Sequence, residues 1–297
     1  MKILIQLTFN NGLGNLYCGA VEILNYVGFY KNLGYTCELI FASNGDGMNN
    51  KFISSCTFEE IFDLKSFDVF DSIRNVNHSI KTEIFEDYTY HSTQYGPNKP
   101  GVHWWDVFFD KLPDQIFPKL SFNMETLLSN ECIPLYLPKF NKKVYDKVNN
   151  LELGEISKAI QIRFFDYNLN PPEDFKLYTE ELNEKLINSN FKYYFTSNNQ
   201  YIIDKLTLLP NILTYEYKDL NSLPNDHGYY FYHKNLSREF LLDRLYDNLT
   251  EMVLLSKFDE IYYYTAYGWN STFLYYSKSN NSNQKLINIK NNLDLIT

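Results

Sequence analysis

Cysteine is scarce in this chain of 297 residues, and the four present (Cys18, Cys37, Cys56, Cys132) form neither a Cys-x-x-Cys pair nor a zinc-ligand spacing with histidine. Neither a zinc site nor a disulfide framework is therefore indicated, and a reducing compartment is the simplest setting. Long apolar runs are also lacking. No segment approaches the ~20 apolar residues of a spanning helix, and the opening Met1–Leu7 run is too short for a signal-peptide core. The chain is therefore expected to be cytoplasmic, with no membrane span, and the sequons at Asn248 and Asn270 are expected to carry no glycan. Positive charge is in deficit, with 27 Lys and Arg against 36 Asp and Glu, a formal net charge of −9. A broad nucleic-acid surface relies on neutralising phosphates, so that partner is disfavoured. There is no internal repeat, and the one biased stretch is a polar, Asn-rich patch at Ser277–Asn283.

Aromatic residues are abundant. They make up 18% of the chain, with 26 Tyr and 23 Phe inside a hydrophobic fraction of 44%, which predicts an ordered chain with an aromatic interior. At ~150 residues per domain the length suggests two domains.

The periodicity divides the chain accordingly. Ile3–Phe9 reads as a buried strand, Asn10–Asn15 as a glycine-containing turn, 16–33 as a helix stopped by Gly34, and Cys37–Ala42 as a second strand, which is a βαβ opening. A short helix follows at Phe58–Leu64. From Asp68 to Asn98 the pattern is broken, with a strand-like Lys81–Phe85 and a polar Tyr-rich segment at Tyr88–His91. Val102–Lys111 reads as a helix and Ile133–Leu137 as a strand within a proline-bearing crossing, before a short helix at Tyr145–Leu151. The second half alternates strictly: strand Ile160–Phe164, helix Phe175–Asn188, strand Tyr193–Thr196, helix Gln200–Leu206, strand Leu213–Tyr217, helix Leu236–Ser256, strand Glu260–Tyr264. Such alternation implies a parallel sheet. The expectation is an α/β protein of two Rossmann-like domains, residues 1–150 and 151–297, facing a central cleft.

Three stretches carry candidate chemistry. Lys158–Tyr167 begins as a short apolar alternation and ends in Arg163 and Asp166, so a buried strand delivers two charges to its carboxyl end, where ligands of open α/β sheets bind. A salt bridge is the plainer alternative. Asn11-Gly12-Leu13-Gly14-Asn15 follows the first strand; glycines there let backbone N–H groups approach an anion at a helix start, or simply make a packing turn. Gly268-Trp269-Asn270-Ser271-Thr272-Phe273 comes after the last of these strands and offers backbone N–H and hydroxyl donors at a helix start, or an ordinary cap. His103, Trp104 and Trp105 provide aromatic faces that suit the C–H face of a pyranose, or a core position plus a lid.

Taken in order, Gln161-Ile162-Arg163-Phe164-Phe165-Asp166 resembles the His-x-Arg-Arg-x-Asp motif of GDP-fucose-dependent fucosyltransferases of the GT-B fold. Asn11–Asn15 is similar to the Gly-Gly-Leu-Gly-Asn-Gln opening of the bacterial α1,2-type members, and Gly268–Phe273 to the Ser-Thr-Phe element that closes their nucleotide site; the wider resemblance takes in the α1,6- and O-fucosyltransferases. The matches span roughly residues 3–275. The resemblance implies an inverting, metal-independent transferase using GDP-fucose or another GDP-sugar, acting on a hydroxyl of a glycan or glycoconjugate. It places Gly12, Gly14, Asn15, Gln161, Arg163, Ser197, Asn198, Glu251, Gly268, Trp269, Ser271, Thr272 and Phe273 around the sugar nucleotide; His103, Trp104 and Trp105 are expected on the acceptor side from their aromatic faces alone.

Arg163 then matches the motif's first arginine, stabilising the departing diphosphate; the resemblance does not choose the base among Asp166, Glu173 and Asp174, and the loop position favours Glu173, with Asp166 orienting Arg163. No Asp-x-Asp sequence is present to ligate a divalent ion, so neither a metal nor any other cofactor is expected. The departures are specific. Gln161 stands for the family histidine, Phe164 for the second arginine, and Asn198 and Asn199 for the acids of a Ser-Asp-Asp turn. Guanine presents an N1–H/N2–H₂ edge that favours a carboxylate, so another sugar nucleotide stays open, as does a non-catalytic carbohydrate- or nucleotide-binding role. Glu251, five residues before Ser256, matches a carboxylate position of the family; a solvated helix glutamate is the alternative.

Overall fold

A computed structural model describes residues 2–8, 17, 20–21, 23–24, 27–28, 31–32, 34–42, 57–76, 88–92, 136–163, 172–197, 199–215, 237–265 and 272–296. These group into two compact units, the first within Met1–Phe122, Ser129–Lys143 and Asn235–Asp243, the second within Asn123–Leu128, Val144–Lys234 and Arg244–Thr297. Each contains one parallel sheet with helices, so the α/β class read from the sequence is the class observed.

In the first unit β1 (Lys2–Thr8) lies between β2 (Thr36–Ala42) and β4 (Tyr88–Ser92), with β3 (Ser72–Val76) outside β2. All the pairings are parallel, Ile5 standing level with Leu39 and His91. Helix α1, described at positions between 17 and 32, buries Tyr17, Ala20, Val21, Leu24 and Val27 at helical spacing. Gly34 ends it at φ +80°, with its N–H on the Lys31 carbonyl, the left-handed stop that glycine adopts without steric cost.

Two strands here depart from the sequence reading. Tyr88–Ser92, read as a polar segment, is β4, and Ser72–Val76, read as patternless, is β3. Both lie at sheet edges, and in β3 Ser72, Arg74 and Asn75 are exposed, so no apolar alternation marks it. The strand expected at Lys81–Phe85 and the helix expected at Val102–Lys111 lie outside the described residues. Tyr136 and Leu137, expected in a strand, are in none.

The expected aromatic interior is present. Helix α2 (Phe58–Ile61) is shorter than read, because Phe62 leaves it to bridge antiparallel to Phe140. Phe58, Phe62, Phe67 and Phe140 are all essentially buried, with ring centroids 4.7 Å apart for Phe58–Phe67 and 5.1 Å for Phe58–Phe62. Edge and tilted contacts of this kind suit the ring quadrupole.

The second unit positions the candidate site. Its sheet runs β7 (Ile212–Thr214), β6 (Tyr193–Ser197), β5 (Lys158–Arg163), β8 (Glu260–Thr265), β9 (Lys285–Asn288), again wholly parallel. Helix α3 (Lys142–Asn149) starts where the Asn141 side chain accepts from the Lys143 N–H, three residues before the expected start. Helix α4 (Glu173–Ile187) buries Phe175, Thr179, Leu182 and Leu186; Phe175, Leu182 and Leu186 share an apolar cluster with Ile160, Ile162, Tyr193, Phe195 and Tyr262. Strand alternation sends Ala159, Gln161, Tyr194 and Thr196 to the opposite face. There the Tyr194 ring stacks on Phe258 at 5.1 Å. Helix α5 (Gln200–Leu206) follows β6, and α6 (Arg238–Leu255), which belongs to this unit from Arg244 onward, is buried all round over Leu245–Tyr246 and Leu249–Leu255.

The Asn-rich patch proves structural. Helix α7 (Thr272–Asn280) runs through its first half, and the rest caps α6. Gln284, fully buried, donates to the Leu255 and Phe258 carbonyls at 2.8 and 2.7 Å and accepts from Ser277 Oγ at 2.8 Å, while Asn281 donates to the Ser256 and Phe258 carbonyls. Helix-end carbonyls left without water need such partners. Gln284→Ala is expected to destabilise the protein by about 1–3 kcal/mol through the two carbonyl bonds it removes and the Ser277 hydroxyl it leaves without this acceptor, read as a lower denaturation midpoint at unchanged m-value.

Candidate functional site

The carboxyl edge of the second sheet is where the sequence-derived residues meet. β5 is buried on both faces from Ala159 to Ile162, as a central parallel strand must be, and its last residue, Arg163, is exposed. Gln161 and Arg163 lie two apart and so share one face. Gln161 stands level with Thr196 of β6 and Tyr263 of β8, and Arg163 level with Thr265 of β8. A row of buried polar side chains, Thr196, Gln161 and Tyr263, thus crosses the sheet one step below the edge at which the guanidinium emerges. Guanidinium at a strand end presents a planar fork of donors matched to phosphate oxygens.

The turn after β6 is built from its own hydrogen bonds. Ser197 Oγ accepts from the Asn199 N–H at 3.1 Å, and Asn199, 3% exposed, accepts from the Tyr201 N–H at 3.1 Å and caps α5. Asn199 therefore serves as a helix cap, a role its place in a polar turn could have announced.

Glu251 is neither solvated nor alone. It is 6% exposed, and its Oε1 accepts from Thr196 Oγ1 at 2.7 Å, a bond away from water. The alternative of a solvated helix glutamate is thereby excluded. One turn earlier on the same helix, Asp247 accepts from Lys147 Nζ at 2.7 Å and Tyr215 Oη at 2.8 Å, with the Arg244 guanidinium at 3.9 Å. Burial, reinforced by the bond to Asp247, pushes the Tyr215 phenol far above its ordinary range. Tyr194, on the same sheet face, is pushed up by burial, Glu251 and Tyr215, and its hydroxyl has no hydrogen-bond partner among the described residues. Sequence reading missed this network, although the i, i+4 spacing of Asp247 and Glu251 puts two acids on one helix face.

Glu173 is the first residue of α4, after Pro172, with its side chain 76% exposed and its carboxylate 3.3 Å from Lys176 Nζ. An acid there also complements the helix dipole. Asp174 accepts from the Phe175 N–H at 3.0 Å. Thr272 opens α7, and Phe273 follows it half-buried. Gly12, Gly14, Asn15, His103, Trp104, Trp105, Phe164, Asp166, Asn198, Gly268, Trp269 and Ser271 lie outside the described residues. Among the described residues no group of three His, Cys, Asp or Glu is arranged to hold a metal ion, and no helix is long and apolar enough to cross a membrane.

No family model matches the chain, and no curated protein matches it in sequence. Among solved structures it is similar to NodZ α-1,6-fucosyltransferase soaked with GDP-fucose, at TM-score 0.50 and 11% identity over 99% of this chain and 96% of that one. It is also similar to fucosyltransferase NodZ from Bradyrhizobium (0.47, 12%, 94% and 92%) and to POFUT1 in complex with GDP (0.45, 12%, 97% of each). The first carries the comparison, and at 11% identity what it shares with this chain is the α/β fold, of the GT-B type, over nearly the whole length of both.

Removing one partner of a buried ion pair leaves the others uncompensated. Asp247→Asn is therefore expected to cost about 2–4 kcal/mol in chemical denaturation, below the full buried-pair figure because Lys147 keeps 31% of its side chain in water.

Proposed function

We propose that this chain is a glycosyltransferase that moves fucose from GDP-fucose to a hydroxyl of a glycan or glycoconjugate, with inversion and without a metal ion. The observation that carries the reading is Arg163, exposed at the carboxyl end of the central parallel strand beside a buried polar row. Support comes from the likeness of fold to an α-1,6-fucosyltransferase soaked with GDP-fucose, and from the three motifs in their order. Residues 151–297 are assigned to the donor and 1–150 to the acceptor, with the cytoplasm as the location.

As the glycosidic bond breaks, the electron pair passes to the bridging oxygen and negative charge accumulates on the β-phosphate. Arg163 answers that charge with two N–H donors, which hold it more strongly as it develops than before. The acceptor oxygen forms its bond to the anomeric carbon from the opposite face and loses its proton to a base. Glu173 is assigned that role, its carboxylate being exposed at the start of α4. Arg163 performs the charge neutralisation that a divalent ion provides elsewhere. Gln161, Ser197, Asn198 and the Gly268–Phe273 stretch, including Trp269, Ser271 and Thr272, complete the donor site; Gly12, Gly14 and Asn15 are assigned to its sugar end, and His103, Trp104 and Trp105 to the acceptor.

A second donor reading is favoured by one set of residues. Gln161, Asn198 and Asn199 are all neutral where the resembling family carries a histidine and acids, so a nucleotide other than GDP remains an alternative.

The test is calorimetric binding of GDP, UDP, ADP and CDP and of the corresponding sugar nucleotides, without added metal. GDP is expected to bind selectively, and Arg163→Ala to lower the transfer rate about 10²–10³-fold. Arg163→Lys should recover only part of it, because a point charge does not replace a bidentate fork. Selective UDP binding would move the donor assignment; no nucleotide binding would favour a non-catalytic protein of this fold.

A further inference from the structure

We infer that Glu251 serves the donor site through Thr196, as a positioning residue for the end of β6, and does not itself read the nucleobase. The inference rests on the donor site proposed above. Thr196 and Glu251 are 5% and 6% exposed, and the 2.7 Å bond between them occupies Glu251 Oε1. On a sheet face covered by a helix, a parallel strand ordinarily carries apolar side chains, so a hydroxyl and a carboxylate placed there together imply a specific use.

Their position supplies that use. Thr196 is the penultimate residue of β6, directly before Ser197 and the turn that leads to Asn199 and α5. Bonds run continuously along that path: Thr196 to Glu251, the Asn199 N–H to Ser197 Oγ, and the Tyr201 N–H to the Asn199 side chain. Glu251 is thus the anchor of the turn within the core. One helical turn earlier on the same helix face, Asp247 is held by Lys147 and Tyr215, which fastens that face of α6. A carboxylate committed beneath the strand in this way leaves base recognition to the turn that it supports.

The experiment measures GDP and UDP affinity, at a temperature where every variant is folded, for Thr196→Val, Thr196→Ser, Glu251→Leu, Glu251→Gln and the Thr196→Val/Glu251→Leu double variant. Thr196→Val and Glu251→Leu are each expected to weaken GDP binding about tenfold, and the double variant by no more than either alone, because both break one interaction. Thr196→Ser keeps the hydroxyl and Glu251→Gln keeps the accepting oxygen, so both should stay within about threefold of wild type with the GDP-to-UDP ratio unchanged. Tyr194→Phe removes a hydroxyl from the same sheet face that bonds to no described residue, and is expected to leave affinity unchanged. Collapse of the GDP-to-UDP ratio in Glu251→Gln with Thr196→Val unaffected would overturn the inference in favour of direct base reading. Lower melting temperatures with unchanged affinity in both single variants would overturn it in favour of a purely structural bond. If Thr196→Val does not fold, Thr196→Ser and Glu251→Gln still decide the question by the ratio. Wild type that binds no nucleotide would remove the donor site itself, a result distinct from either of these.

Discussion

A parallel strand covered on both faces has to bury whatever it carries, and β5 meets that demand from Ala159 to Ile162 and abandons it at Arg163. A guanidinium is costly to bury, and β5 turns from buried to exposed at the residue that carries one. Everything assigned to the second unit's site follows from that edge. β6 and β8 lie parallel to β5 in register, which delivers Ser197 and Thr265 to the same edge, while α4 and α5 begin just beyond it.

Beneath the edge the unit tolerates a polar layer that an apolar core would make unnecessary. Thr196, Gln161 and Tyr263 lie abreast in the sheet, and α6 contributes Asp247 and Glu251 to the same face. Such a layer is stable only when its members are bonded to one another, and Thr196–Glu251 and Lys147–Asp247–Tyr215 are bonded at 2.7–2.8 Å. The same helix is closed at its end by Gln284 and Asn281, so α6 is held at both its polar face and its terminus.

Much of this was legible in the chain itself. The alternation of helix and strand after Ser157, the helix at 238–255, the glycine stop at Gly34 and the aromatic interior all follow from periodicity and composition, because each is a local or additive property. The strands that escaped reading, β3, β4 and β9, all lie at sheet edges, and β3 and β9 carry exposed or half-buried side chains with no apolar rhythm. The Ser277–Asn283 patch escaped for the opposite reason. Its polar residues look solvated in sequence, yet Ser277 is buried against Gln284, the buried residue just beyond the patch, which with Asn281 bonds the carbonyls at the end of a helix well separated in the chain.

By itself the sequence determined the α/β class, the strand that carries Arg163, and the fact that this arginine stands at a strand end, since hydrophobic period and a change to polar residues are written locally. Only the tertiary structure decided what the flanking polar residues do. Glu251 reads as a nucleotide ligand or, more commonly for such a residue, a solvated glutamate, and Asn199 as part of a binding turn, until Thr196 is found 2.7 Å from one and the Tyr201 N–H 3.1 Å from the other. Thr196 and Glu251 are 55 residues apart in the chain, and hydrogen bonds at that separation depend on how strands and helices pack, which no local pattern of residues records.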